Sequence, residues 1–318
     1  MGVVGIIANP AAGKDIRRLV SAASPTSDMA KIGIVRRVLV GAIEGGADRV
    51  LIADDHKSLG RQAMHGLDQA IDVPVEIIGD EVLPTSFHSR RMAEQLRDAG
   101  VGALVSLGGD GTHRDIAKGW LDVPMVPVST GTNNVYPQMI EATVAGHAAA
   151  IAASGATPIS LIAHRAKVLH VTGDGIKPDL ALIDIALVEG SFTASRAVWD
   201  VALLRELVVT TAEPATIGLS SIAAKVAPVS RTELGGVHVR FGPGQTIRAP
   251  IAPGLYHDVE IAAANRITLG QPVTLHGPGV LAFDGERDLV LARDQQVTIT
   301  LAADGPWVID ATTALASV

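Results

Sequence analysis

Three glycines in four positions, interrupted by one carboxylate, follow the apolar run Ala103-Leu104-Val105-Ser106-Leu107: Gly108-Gly109-Asp110-Gly111-Thr112. Glycines let backbone N–H groups approach phosphate oxygens with no Cβ in the way. Thr112 stands where it would cap a following helix. In an open parallel sheet such a loop lies at the carboxyl end of a strand, where ligands bind. The pattern reads as a phosphate-binding turn, with a ligand-free strand-to-helix turn as the alternative.

Two further loops have the same character. Met125-Val126-Pro127-Val128 runs into Ser129-Thr130-Gly131-Thr132-Asn133-Asn134, which offers hydroxyls, amides and one glycine. If the two strands are neighbours, both loops line one crevice; otherwise the polar side chains cap their own backbone. The opening loop Asn9-Pro10-Ala11-Ala12-Gly13-Lys14 invites a P-loop reading that fails, because Ala8 replaces the first glycine and Asp15 follows the lysine. Lys14 can still meet a phosphate as a point charge or stay solvated. A fourth feature is Phe283-Asp284-Gly285-Glu286, between the apolar runs Val280 to Phe283 and Leu289 to Leu291. Asp-Gly is a hairpin signal; a carboxylate pair on a tight turn also suits Mg²⁺ or proton transfer.

Competing chemistries lack support. There is no Gly-x-Ser-x-Gly elbow, no His-Glu-x-x-His and no metal-ligand spacing among the ten histidines. His113 is expected at the surface beside the glycine loop, and Arg90-Arg91 on a solvated helix face. Arg196 could touch a phosphate or form an ion pair. The absence of cysteine excludes thiol catalysis and disulfides and fits a reducing compartment. No long charge-free apolar stretch predicts a membrane span, and the N-terminal apolar run lacks the basic flank of a signal peptide. A net charge of −7 disfavours nucleic acid polymers and anionic lipid surfaces but not nucleotides.

These loops need elements to hold them. With 318 residues, two domains with buried cores are expected. Up to about residue 153, strand-like runs (3–8, 49–53, 73–78, 101–107, 125–128) alternate with helical patterns (32–43, 58–70, 85–99, 114–121 and a helix ending at 148–153). That alternation predicts a doubly wound parallel sheet. Beyond Ser154-Gly155 come closely spaced runs at 167–171, 180–188, 237–241, 257–262, 272–276, 279–283 and 297–301, with one helix at 198–207. The expected fold is an α/β domain over 1–155 followed by a β-rich, antiparallel, sandwich-like domain over 156–318.

The glycine loop carries a resemblance. Gly108-Gly109-Asp110-Gly111 resembles the shared mark of the superfamily that joins NAD kinases to diacylglycerol and sphingosine kinases. Asn9-Pro10 with Gly13, Gly131-Thr132-Asn133-Asn134 and Asp284-Gly285-Glu286 agree with it in order, so the resemblance spans nearly the whole chain. Within the superfamily it is similar to the NAD-kinase-like group that includes acetoin catabolism protein X.

The resemblance implies an active site between the domains, a last strand returning to the first domain, and a homo-oligomer. It implies a cytoplasmic, ATP-dependent (or polyphosphate-dependent) kinase with Mg²⁺, acting on a hydroxyl, with NAD(H) as the leading acceptor. Asn9, Lys14, Gly108, Gly109, Gly111, Thr112, Thr130, Gly131, Thr132, Asn133, Asn134 and Glu189 would hold the nucleotide. Asp110 would take the acceptor's proton or bind metal; Asp284 and Glu286 compete for both roles. NAD kinases carry an Asn-Glu pair after the domain crossover, and here Val188 precedes Glu189, which weakens the case for NAD. The alternatives are a nucleotide-binding accessory protein or sensor without catalysis, and a lipid kinase.

Overall fold

The computed structural model describes residues 2–13, 26–67, 72–79, 86–131, 134–190, 198 and 200–318. Its first sheet is built as the alternation predicts. Strands β1 (Val3–Ala8), β2 (Arg49–Ala53), β3 (Val75–Ile78), β4 (Ala103–Gly108) and β5 (Pro124–Ser129) run parallel in the order β3-β2-β1-β4-β5. Helices α1 (Asp28–Glu44), α2 (Leu59–Met64) and α5 (Ala142–Ser154) cover one face. Helices α3 (Ser86–Asp98) and α4 (Asp110–Gly119) cover the other. Alternation within the strands decides the faces: Val4 and Ile6 join the first core, Ile7 the second.

The chain enters its β-rich half through α6 (Ile159–Ile162) and β6 (Ala163–Arg165). Strands β7 (Val168–Gly173), β8 (Ile176–Ala181), β13 (Pro272–His276) and β16 (Gln296–Ala302) form a four-stranded antiparallel sheet. A six-stranded antiparallel sheet contains β9 (Asp184–Val188), β10 (Leu204–Val209), β11 (Gly236–Ala252), β12 (Leu255–Ile267), β14 (Gly279–Phe283) and β15 (Glu286–Leu291), in the order β12-β11-β10-β9-β14-β15. Leu169, Val171, Val297 and Ile299 from the smaller sheet pack on Ile185, Leu187, Leu281 and Phe283 from the larger, so the two form a sandwich. The outer face of the larger sheet is covered by α7 (Leu219–Val226). Strand β17 (Trp307–Ile309) leaves this half and pairs parallel with β5 and antiparallel with β6, before α8 (Ala311–Leu315).

Three expectations needed correction. The helix expected at 198–207 is a single 3-10 turn at Val201–Leu203 followed by β10, because its apolar residues alternate into a sheet core. The run 180–188 breaks at Leu182-Ile183 into β8 and β9. The helix expected from Arg114 starts at Asp110, so Thr112 lies inside its first turn; the cap position belongs to Gly109, which offers no side-chain bond. Among the described residues, no helix is long and apolar enough to cross a membrane.

Candidate active site

Adjacent strands β1 and β4 send their following helices to opposite faces of the sheet, α1 to one and α4 to the other. A crevice therefore opens beyond their carboxyl ends. It has a volume of about 1210 Å³ and is closed on the far side by residues of the β-rich domain, including Asp179, Phe283, Asp284, Glu286 and Asp288.

Three loops meet there and are tied to one another. The Asn9 side-chain amide donates to Thr112 Oγ1 at 2.8 Å, joining the opening loop to the glycine loop. Asp110 Oδ1 accepts from the backbone N–H of Val135 at 3.0 Å and of Tyr136 at 2.8 Å, joining the glycine loop to the end of the second loop. Gly13 has φ +73, and a Cβ there would lie 2.9 Å from the Thr130 carbonyl oxygen, so the opening loop touches the second. At Gly109 a Cβ would lie 2.9 Å from Asn134 Oδ1. Bare backbone at these points lets the loops close around a ligand.

Asn9, Gly109, Asp110, Gly111, Thr112, Gly131, Asn134, Asp284 and Glu286 line the crevice. Gly108 ends β4 just behind it, where a Cβ would strike the Thr112 side chain at 2.5 Å. Thr130 is buried, and its hydroxyl has no hydrogen-bond partner among the described residues. Glu189 sits exposed past the end of β9, outside the crevice, with its N–H donated to Leu203 O. Lys14, Thr132, Asn133 and Arg196 lie outside the described residues.

The late acidic turn faces the glycine loop. A Cβ built on Gly111 would lie 3.7 Å from Glu286 Oε1. Asp284 does something different. With φ 49 it turns its carboxylate onto the backbone N–H groups of Leu182, Ile183 and Asp184 at 2.8–3.1 Å. Asp184 reciprocates, accepting the Gly285 N–H on its carboxylate and the Asp284 N–H on its carbonyl. Burial pushes the Asp284 carboxyl up against the opposing pull of Arg114 and these N–H groups.

Sequence reasoning missed several contributors. Lys31, fully buried, donates to the carbonyls of Pro10 and Ala12 at 2.8 Å and shapes the opening loop. Its signal was a lysine on the apolar stripe with Val35, Val38 and Ala42. Asp184 was visible as a lone carboxylate within an apolar run. Asp115 lines the crevice one turn after Gly111, and its carboxyl is pushed up to about 7 by burial, with Glu286 and Asp288 adding to the rise against Arg114 and Lys118. His113, expected at the surface, is fully buried: its Nδ1 lies 2.7 Å from the Gly109 carbonyl, and burial pulls its pKa down to about 4. An imidazole at that pKa is neutral near pH 7, so Nδ1 carries the proton toward the carbonyl.

Comparison with known proteins agrees with the fold. Residues 4–156 match the ATP-NAD kinase N-terminal domain, and residues 167–304 match the acetoin catabolism protein X C-terminal domain. Acetoin catabolism protein X of Cupriavidus necator is 37% identical over 320 residues, covering 94% of this chain and 87% of that protein. The chain belongs to the acetoin catabolism protein X family. A crystal structure of a provisionally assigned diacylglycerol kinase from Bacillus anthracis shares the fold at 12% identity, with a TM-score of 0.50 and 97% of each chain covered. This chain therefore combines an α/β domain that matches the ATP-NAD kinase N-terminal domain with a β-rich domain, in a fold like that of the solved diacylglycerol-kinase-like structure.

Proposed function

We propose that this member of the acetoin catabolism protein X family is a cytoplasmic phosphotransferase that moves a phosphoryl group from a nucleotide to a hydroxyl, with NAD(H) the first acceptor to test. The observation that carries the reading is Glu286 Oε1 poised over Gly111 from the opposite domain. Phosphoryl transfer asks a protein mainly to position partners and stabilise charge. The bare loops and the N-terminus of α4 would receive the donor's phosphates. The Glu286 side chain has no hydrogen bond or ion pair to any described residue, so its carboxylate is available to take the acceptor's proton as the oxygen attacks phosphorus.

Mg²⁺ suits the site. Among the described residues no three His, Cys, Asp or Glu side chains form a ready metal cage, and Mg²⁺ on a nucleotide needs only one or two carboxylates beside phosphate oxygens and water. Asp115, which lines the crevice beside Glu286, would supply one and leave Glu286 for the proton. The ion would neutralise charge on the phosphates.

The second reading is a nucleotide-binding sensor without turnover. It draws support from Asp110 and Asp284, whose carboxylates are both engaged with backbone N–H groups. Phosphorus NMR of Mg-ATP with NAD, NADH, diacylglycerol and a panel of polyols separates the readings. A new phosphomonoester signal is expected. Nucleotide binding by calorimetry without transfer from ATP or polyphosphate to any acceptor would sink the phosphotransferase reading and leave the sensor.

A further inference from the structure

Helix α4 presents Gly111, Arg114, Asp115 and Lys118 at the i, i+3, i+4, i+7 spacing of one face, and that face meets the β-rich domain. Arg114, 7% exposed, does most of the gripping. Its Nε donates to the Leu180 carbonyl at 2.7 Å, and one terminal nitrogen donates to Asp179 at 2.8 Å. Both terminal nitrogens reach Asp288 Oδ2, at 3.2 and 3.3 Å. The guanidinium lies 4.4 Å from the centre of the Phe283 ring. Lys118, one turn on, adds a 2.8 Å ion pair to Asp179.

Phe283 precedes the acidic turn and Asp288 follows it. Arg114 therefore holds both arms of the β14–β15 hairpin at once, and Glu286 lies between the two points of attachment. The same helix carries Gly111, over which Glu286 Oε1 is held. A planar fork with five donors suits such a multi-point clamp; a lysine in its place could not reproduce it. Burial opposes the charge, but Asp179, Asp284, Asp288 and Asp115 together keep the guanidinium's pKa above its ordinary value.

We propose that Arg114 is a positioning residue that fixes Glu286 over the glycine loop by clamping both strands of the acidic hairpin to the nucleotide-binding helix. The placement is a matter of geometry; only the consequence for rate rests on the phosphotransfer reading.

The chain has no cysteine, so spin labels can be placed cleanly at the exposed positions Ala99 and Val290 by Ala99→Cys and Val290→Cys. Pulsed electron resonance on the full chain is expected to give one narrow distance distribution. Arg114→Met should broaden or shift it and Arg114→Lys should fall between; an unchanged distribution in Arg114→Met overturns the clamp. Should Arg114→Met fail to fold, Asp288→Asn, which loosens one arm only, must still broaden the distribution, and an unchanged one again overturns the proposal. Kinetically, misplacing a reacting group by about 1 Å costs on the order of 100-fold, so Arg114→Met should lower kcat by about 10- to 100-fold with KM for nucleotide within about threefold. In a Glu286→Gln background the same change should cost less than about twofold. An equal loss in both backgrounds means Arg114 does not act through Glu286. If the wild-type protein transfers no phosphoryl group at all, the phosphotransfer reading fails, and the distance measurement still decides the clamp.

Discussion

The glycine loop and the late acidic turn each carry an Asp-Gly pair, and the two aspartates resemble each other more than their surroundings suggest. Asp110 opens a helix and clasps the N–H groups of Val135 and Tyr136. Asp284 takes a left-handed conformation and clasps those of Leu182, Ile183 and Asp184. Each loop is also backed by a second side chain. Neutral His113 bonds to Gly109 behind the first, and the Asp184 carboxylate bonds to Gly285 behind the other. The two turns differ in the residues that succeed the aspartate. After Asp110 comes the bare backbone of Gly111; after Asp284 comes Gly285 and then Glu286, aimed at that bare backbone. In both turns the aspartate carboxylate ties down backbone N–H groups, and the neighbours Gly111 and Glu286 face each other across the crevice.

The largest test of that contrast is Glu286→Gln. Losing a general base typically costs about 10²–10⁴-fold in rate, while the half-buried side chain has no hydrogen bond or ion pair to a described residue, so the near-isosteric change should leave stability within about 0.5 kcal/mol. Phosphotransfer assays beside urea denaturation check both halves; a near-normal rate would remove Glu286 from the chemistry. Asp284→Ala should behave in the opposite way. It leaves three buried N–H groups without an acceptor, for a loss of about 3 kcal/mol or more, and Asp284→Asn should lose distinctly less. A loss under about 1 kcal/mol in the alanine variant would mean the clasp contributes little.

His113 distinguishes the two turns by pH. Its folded-state pKa of about 4 lies below the ordinary 6.5, so between these values the unfolded chain binds the extra proton. The stability this group contributes is present above about pH 6.5 and is lost as pH falls toward 4. Linkage gives roughly 2 kcal/mol less at pH 5 than at pH 7. Asp115, pushed up to about 7, works the other way over part of the same range. The diagnostic quantity is therefore the stability of wild type relative to His113→Gln, which should fall by roughly 2 kcal/mol from pH 7 to pH 5; parallel curves would contradict the buried neutral imidazole. The smallest effect is expected from Asp110→Asn. The amide oxygen can still accept both N–H groups, so stability should fall by about 1 kcal/mol and the rate by less than about tenfold. A loss of 100-fold or more, on the order of what a base or metal ligand supplies, would return Asp110 to the chemistry.

The parts of the fold legible in the sequence were those governed by period. β2, β13 and β14 fall on the apolar runs that named them, and the alternation of strand and helix gave the parallel sheet. The stretch 198–207 resembles a helix because Leu204 and Leu207 stand three apart; a bulge between Leu204 and Glu206 brings both to one core, and sheet pairing with β9 and β11 decides. Of the candidate site, the glycine-rich loops were readable because glycine and tight turns leave a local mark. Lys31 and Asp184 left a mark, a charge inside an apolar pattern, but their roles, like that of Arg114, depend on partners 19 to 174 positions away, and Asp115 joins the site only through burial and the distant Glu286 and Asp288. Glu189, placed by analogy with a pair of residues, lies outside the crevice because β9 has already carried the chain past it.

Strand β17 has a consequence for how the protein is made. It contributes the neighbour of β5 in the nucleotide-binding sheet, yet it comes after every strand of the sandwich in the chain. As the polypeptide leaves the ribosome, β5 emerges early and waits with one edge open while the 177 residues between Ser129 and Trp307, at a typical rate of about 5–20 per second, are added. Unpaired strand edges are sites of mispairing. The nascent α/β half thus stays an incomplete sheet until the sandwich has been threaded out and the last strand comes back, so the two halves reach their finished state together.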